Sequence, residues 1–240
     1  MAASPAHAGD QGSELAGHVR RVGRRHPAPP RPVRRIQQYT VRIGGGNCAV
    51  SAYSDDHGQT RHTGEPVGPG ADENKTVELS DGTIMLNSRA KPRRLVAFSR
   101  DGGQAWTDFR ADPALVDPAN NGSILRYAPD AAPDDPQAKW LLLSNTADDE
   151  IRRNLTVRMS CDDGKTWPIR RTVEEASSAY STLGHLLGGD IGMLYERSGY
   201  QRMTMARFDL AWLNGTCVPV TLTSPPRSRR DRRPPSVSTW

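Results

Sequence analysis

Cysteine, lysine, aromatic residues and long apolar runs are all scarce in this chain, and each scarcity removes a class of protein. Three cysteines in 240 residues, Cys48, Cys161 and Cys217, show neither a Cys-x-x-Cys pair nor a Cys/His spacing suited to zinc. They allow one disulfide, with Cys161–Cys217 the pair to test and one thiol left over. No apolar run approaches the roughly 18 residues that a membrane-spanning helix needs, so no transmembrane segment is expected. No window holds a helical period beyond about two turns. Hydrophobic residues make up 35% and aromatics 6%, at a mean hydropathy of −0.66, low for a fully packed chain. Residues 1–35 contain no charged-then-apolar export signal.

Charge is present, but in the wrong places for a folded basic face. The formal net charge is +5, and only four of the 32 basic residues are lysine. Residues 1–35 carry seven Arg against Asp10 and Glu14, and residues 227–240 carry five Arg against Asp231. Without these tails, residues 36–226 hold 20 basic and 24 acidic groups, a net of −4. The tails are Pro-rich as well as basic, which predicts a disordered leader (1–35) and a disordered tail (227–240) around a folded body (36–226). A mildly acidic body without interleaved aromatic and basic residues argues against a nucleic-acid partner.

The body alternates short apolar runs with turn residues. Expected strands are 36–43, 49–54, 77–79, 83–88, 95–99, 124–127, 140–144, 155–160, 191–196 and 203–212. They are separated by turns such as Gly44-Gly45-Gly46, Ser80-Asp81-Gly82, Asp101-Gly102-Gly103 and Asp163-Gly164. Many short strands at near-regular spacing predict an all-β sandwich, barrel or propeller.

An internal repeat favours the propeller. Ser99-Arg-Asp101-Gly-Gly103-Gln-Ala-Trp106 and Ser160-Cys-Asp162-Asp-Gly164-Lys-Thr-Trp167 share the pattern Ser-x-Asp-x-Gly-x-(Thr/Ala)-Trp. A third copy, Ser54-Asp-Asp56-His-Gly58-Gln-Thr-Arg61, has Arg in place of Trp. Their spacing is about that of one propeller blade. Ser and Asp side chains can bond amides across a tight turn, Gly takes the positive-φ position, and Trp packs the hairpin down. This is the Asp-box pattern. Its meaning is structural, and Arg61 should weaken the first clip.

Other segments carry a more specific resemblance. The stretch from Asp72 to Arg89 resembles the part of bacterial sialidases that delivers a glutamate and, sixteen residues later, an arginine. Ala179-Tyr180-Ser-Thr-Leu183, followed by Asp190-Ile-Gly-Met-Leu-Tyr-Glu196, resembles their segment with a tyrosine nucleophile and a supporting glutamate. From about Ile36 to Val220 the chain is similar to the exo-α-sialidase (neuraminidase) family, whose fold is a six-bladed β-propeller. By that resemblance Tyr180 is the nucleophile, Glu73 its base, Arg89 and Arg152 bind the substrate carboxylate, and Glu196 supports an arginine. No metal and no cofactor are implied. The implied partners are sialylated glycoconjugates, and the family suggests a secreted protein.

The residue types suit that chemistry. Sialic acid carries a carboxylate on its anomeric carbon, so a neutral phenol meets less repulsion than a carboxylate nucleophile; tyrosine nucleophiles in sialidases are the known exception to the two-carboxylate rule. A phenol with a pKa of about 10 needs a neighbouring base. A substrate carboxylate favours guanidinium forks over ammonium groups. The family also uses an Arg-Ile-Pro motif and an Asp general acid, both upstream of the Ile36–Ile43 match, and residues 1–35 contain neither. The expectation is therefore a propeller of about four blades with an impaired site. The alternative is an Asp-box propeller fragment that binds glycan or protein without catalysis.

Overall fold

The computed structural model describes residues 35–217, and their regular secondary structure is almost wholly β-strand. The tails expected to be disordered lie outside the described residues apart from Arg35, as do residues 218–226 of the expected body.

All strand pairing is antiparallel, between neighbours in sequence. β1 (Arg35–Ile43), β2 (Gly46–Ser54) and β3 (His62–Thr63) form a first sheet. β4 (Asn74–Glu78), β5 (Ile84–Ser88), β6 (Arg93–Ser99) and β7 (Thr107–Val116) form a second. The remaining six strands are one continuous sheet: β8 (Ser123–Arg126), β9 (Leu141–Thr146), β10 (Arg153–Ser160), β11 (Ile169–His185), β12 (Ile191–Arg197) and β13 (Arg202–Phe208). β11 is 17 residues long and belongs to two units at once. Its first half pairs with β10 (Met159↔Ile169 to Arg153↔Ser177), and its second half with β12 (Ser178↔Arg197 to His185↔Ile191). The fold is thus all-β and propeller-type, with four blade-like units in sequence.

The core lies between the units. In β9 the three leucines alternate faces, as a strand requires. Leu141 and Leu143 join Val77, Met85, Val96 and Trp167 toward the second sheet, whereas Leu142 joins Leu155, Val157, Met193 and Phe208 toward β12 and β13. A strand buried on both faces reads as a continuous apolar run, which explains its legibility. The first and second sheets meet through small residues, Ala49, Ala71 and Ala97, with Val67 and Leu86.

Each Asp box occupies the same place, between the third and fourth strands of a unit or their counterparts: after β2, after β6 and after β10. In all three the serine hydroxyl donates to the aspartate at 2.8 Å, for Ser54–Asp56, Ser99–Asp101 and Ser160–Asp162. The same hydroxyl accepts from the glycine N–H of Gly58, Gly103 or Gly164. Gly164 needs its freedom twice over: its φ is +79°, and a Cβ there would sit 3.1 Å from Met85 Sδ. Arg61 leaves the first box's hydrogen bonds intact, so that box lacks only the indole. Trp167 is buried in the core and Trp106 packs partly buried against the alanine cluster.

Three details depart from expectation. β7 and β11 are strands without a strong apolar signal, because β7 and the first half of β11 are largely exposed. The short β3 was likewise not expected. The expected strand 203–212 ends at Phe208, where Asp209 caps a single helical turn, α1 (Leu210–Leu213), its carboxylate accepting from Trp212 N–H at 2.7 Å. Cys161 and Cys217 form a disulfide with Cα atoms 5.8 Å apart, and Cys48 is a buried free thiol.

Candidate active site

Glu73 and Arg89 are neighbours because of a hairpin register. β4 and β5 pair Asn74 with Ser88, and the ladder continues one step as Arg89 N–H donates to Glu73 C=O at 2.9 Å. Sixteen residues of separation therefore place two side chains side by side. Tyr180 and Glu196, also sixteen apart, meet across β11 and β12, where the pairing shifts between Ser178 and Ser181. That irregularity frees the Tyr180 N–H from the backbone ladder, and the Glu196 carboxylate accepts it at 3.1 Å. Arg152 lies on the other side of β11, its carbonyl accepting from Ser178 N–H at 3.1 Å. The strand thus leaves one partner and joins the next right beside Tyr180.

The side chains converge. Arg89 Nη1 donates to Glu73 Oε2 at 2.6 Å and to Tyr180 Oη at 3.0 Å. Asp72 adds a second carboxylate, 3.7 Å from Arg89 Nε. The Arg152 guanidinium carbon lies 5.3 Å from the Tyr180 ring centroid, with Nη1 donating to Tyr200 Oη at 2.7 Å and Nη2 to Ala119 C=O at 3.0 Å. The structure therefore brings Glu73, Arg89, Arg152 and Glu196 around Tyr180.

Electrostatics follow from that packing. Burial pushes the Tyr180 phenol above its ordinary value, the Glu73 carboxylate adds to the rise by charge and by hydrogen bonding, and Arg89 and Arg152 oppose it. Burial works against the Arg89 charge, but hydrogen bonding and attraction from Glu73, with help from Tyr180 and Asp72, raise its pKa. Burial also pulls Lys75 down, against the attraction of Glu73. The arrangement can hold a phenol neutral, hand its proton to a carboxylate, and present positive charge beside it.

Sequence reasoning missed the scaffold behind Tyr180. The loop between β7 and β8 grips three parts of the site. Ala119 C=O receives Arg152, Asn120 Nδ2 donates to the Ala179 C=O at 2.8 Å, and Asn121 C=O accepts from Ser181 N–H at 3.4 Å. The loop is itself anchored by a buried pair, Arg94 Nη1 to Asp117 Oδ2 at 2.8 Å. The same nitrogen reaches Asn120 C=O at 2.7 Å, and Asp117 Oδ1 takes the Asn120 N–H at 2.6 Å. Arg94, Asp117 and Asn120 are 1%, 0% and 0% exposed. Among the described residues no group of three or more His, Cys, Asp or Glu is placed to hold a metal ion.

Comparison with known proteins adds the family. Residues 32–193 match the BNR repeat-like domain. The chain is 50% identical over 197 residues to a sialidase of Micromonospora viridifaciens, covering 80% of this chain and 30% of that protein. It is 31% identical over 166 residues to an exo-alpha-sialidase of Aspergillus fumigatus, covering 62% and 39%. Among solved structures it resembles the Hadza microbial sialidase Hz136 with a TM-score of 0.65 at 27% identity, over 76% of this chain and 36% of that one. The fold of the intramolecular trans-sialidase from Ruminococcus gnavus is also similar, with a TM-score of 0.63 at 22% identity, over 77% and 42%. The chain spans well under half the length of these curated relatives. A family match across most of the described strands, joined to three Asp boxes at equivalent corners, shows that this chain belongs to the sialidase-type BNR repeat-like family.

Proposed function

We propose that this chain carries the nucleophilic part of a retaining exo-α-sialidase site, acting on terminal sialic acid of glycoconjugates. The observation that carries this reading is one guanidinium nitrogen, Arg89 Nη1, held between Glu73 Oε2 and Tyr180 Oη. In the proposed sequence the Tyr180 proton passes to Glu73 while Oη bonds the anomeric carbon and the glycosidic bond breaks. Water then replaces the tyrosyl oxygen at that carbon, releasing to solvent a proton that balances the one the departed leaving oxygen takes up, and Tyr180 recovers its own proton from Glu73. Arg89 and Arg152 offer forks to the substrate carboxylate, and Glu196 fixes the nucleophile's backbone. A purely glycan-binding propeller has no need for a base beside a phenol.

The leaving oxygen needs a proton, and no described residue is assigned to supply it. The chain is therefore expected to favour an activated aryl sialoside over a sialyl-galactose linkage, because a good leaving group needs little protonation. Loss of a general acid or base typically costs about 10²–10⁴ in rate. Turnover of both substrates by the parent, Tyr180→Phe and Glu73→Gln tests the scheme. Cleavage of the aryl substrate, abolished in Tyr180→Phe and lowered about 10²–10⁴ in Glu73→Gln, is expected. Undiminished turnover by Tyr180→Phe would remove the nucleophile.

A further inference from the structure

A second charged site lies on the other half of β11. One face of β10 and β11 carries two opposed pairs side by side, Thr156↔Thr172 and Arg158↔Arg170. These residues, with Asn154 and Glu175, line a cavity of about 440 Å³. Arg158 is only 4% exposed, and its Nε is buried without a hydrogen-bond partner. Among the described residues neither Arg158 nor Arg170 forms an ion pair.

This is an unstable arrangement as it stands. Like charges directly opposite one another on a sheet are destabilising, and an unpaired buried charge is costly. Burial lowers the Arg158 pKa, and the Arg170 charge lowers it further; Asp112 and Asp117 counter only from a distance. Those two carboxylates have other work: Asp112 accepts from Ala114 N–H, and Asp117 holds Arg94 and Asn120. The Leu155, Val157 and Met159 side chains on the opposite face of β10 are core, so Arg158 cannot escape by flipping the strand.

We infer that the cavity between Arg158 and Arg170 is a binding site for a small oxyanion, a sulfate, phosphate or carboxylate group. Two guanidiniums present planar donor forks that match such groups, which a halide would not exploit. The Thr172 hydroxyl and the Asn154 side chain, both on the cavity wall, offer further polar groups. The volume is within the range of small-ligand sites. Glu175, exposed at the wall, opposes the anion and keeps it exchangeable. The site is separate from the Tyr180 cluster, and it does not depend on the proposed hydrolysis.

Thermal unfolding and calorimetric titration of the full chain test this, with sodium sulfate against sodium chloride at equal ionic strength. Sulfate also stabilises proteins generally by exclusion from their surface, so variants decide. Arg170 is exposed, and Arg170→Gln should fold normally. The expected result is a sulfate-specific rise in Tm and a saturable heat for the parent, both lost in Arg170→Gln and strengthened in Glu175→Gln. Arg158→Gln should lose them too, where it folds. A sulfated monosaccharide and glucuronate, titrated in parallel, distinguish the source: tighter binding than inorganic sulfate assigns a glycan-borne oxyanion, weaker binding a free ion. Equal Tm shifts in the parent and Arg170→Gln, or no saturable heat with any of the three probes, would overturn the site.

Discussion

At the scale of single residues, the phenol of Tyr180 is caught between opposite influences. Burial and the Glu73 carboxylate hold its proton on, and two guanidiniums pull the other way. Removing the carboxylate charge should therefore move the titration down. In Glu73→Gln, Tyr180 is expected to ionise at lower pH than in the parent, read as the ultraviolet difference between each protein and its Tyr180→Phe counterpart. A titration that moves upward would mean that Glu73 does not face the phenol. Asn120 acts at one remove, through the peptide before Tyr180. Asn120→Ala would leave the Ala179 carbonyl and the Thr146 hydroxyl without a buried donor, at a cost of about 1–3 kcal/mol in stability. If the loop also positions the nucleophile, kcat on an aryl sialoside should fall with KM little changed; a stability loss with unchanged kcat would restrict Asn120 to a structural role. Asn120 gave no signal in the sequence because Asp117-Pro-Ala-Asn-Asn121 has the composition of any exposed turn. Only the fold reveals that it is buried and that its amide nitrogen is spoken for.

At the scale of elements, the Asp boxes make acid stability a local matter. The Thr60 hydroxyl and amide hold the Asp56 carboxyl below its usual range. For Asp101 and Asp162 burial opposes the charge, and the box amides and hydroxyls outweigh it. A carboxylate whose folded pKa lies below its unfolded value stabilises the fold above the unfolded value, about 3.9 for Asp. That contribution is lost as pH falls through the lower folded values. Tm should therefore fall only below about pH 4 on account of these groups, and Asp162→Asn should lower Tm at pH 7 while making the acid loss shallower. An unchanged acid slope in Asp162→Asn would place the titrating groups elsewhere. The boxes were legible because their chemistry is local, all within eight consecutive residues. β7 and most of β11 were not, because an outer strand with one wet face can carry charges almost anywhere. Asp209 turned the end of an apolar run into a capped helical turn, a decision made by one side chain against the pattern around it.

At the scale of the whole molecule, the Cys161–Cys217 bridge fastens the last described unit to the third Asp box. It closes 56 residues, and loop-closure entropy predicts about 4 kcal/mol of stabilisation for a ring of that size. Reduction, or Cys217→Ser, should lower Tm by about 10 °C for a chain of this length. Cys48→Ser separates this from any effect of the free thiol. The all-β character and blade-like rhythm were readable from turn spacing, whereas Glu73 and Arg89 were named by family resemblance and their pairing comes from the β4–β5 register. Convergence on Tyr180 was not readable from spacing, since it depends on where β11 changes partners. That change of partners has a mechanical meaning too. Neighbouring sheets are commonly joined by a loop, a hinge where a protease can cut or one sheet can swing. Here the joint is a hydrogen-bonded strand, with the Ser178 N–H taken by Arg152 just where pairing passes to β12. The two units flanking Tyr180 share one strand, so opening of one is expected to loosen the pairing of the other.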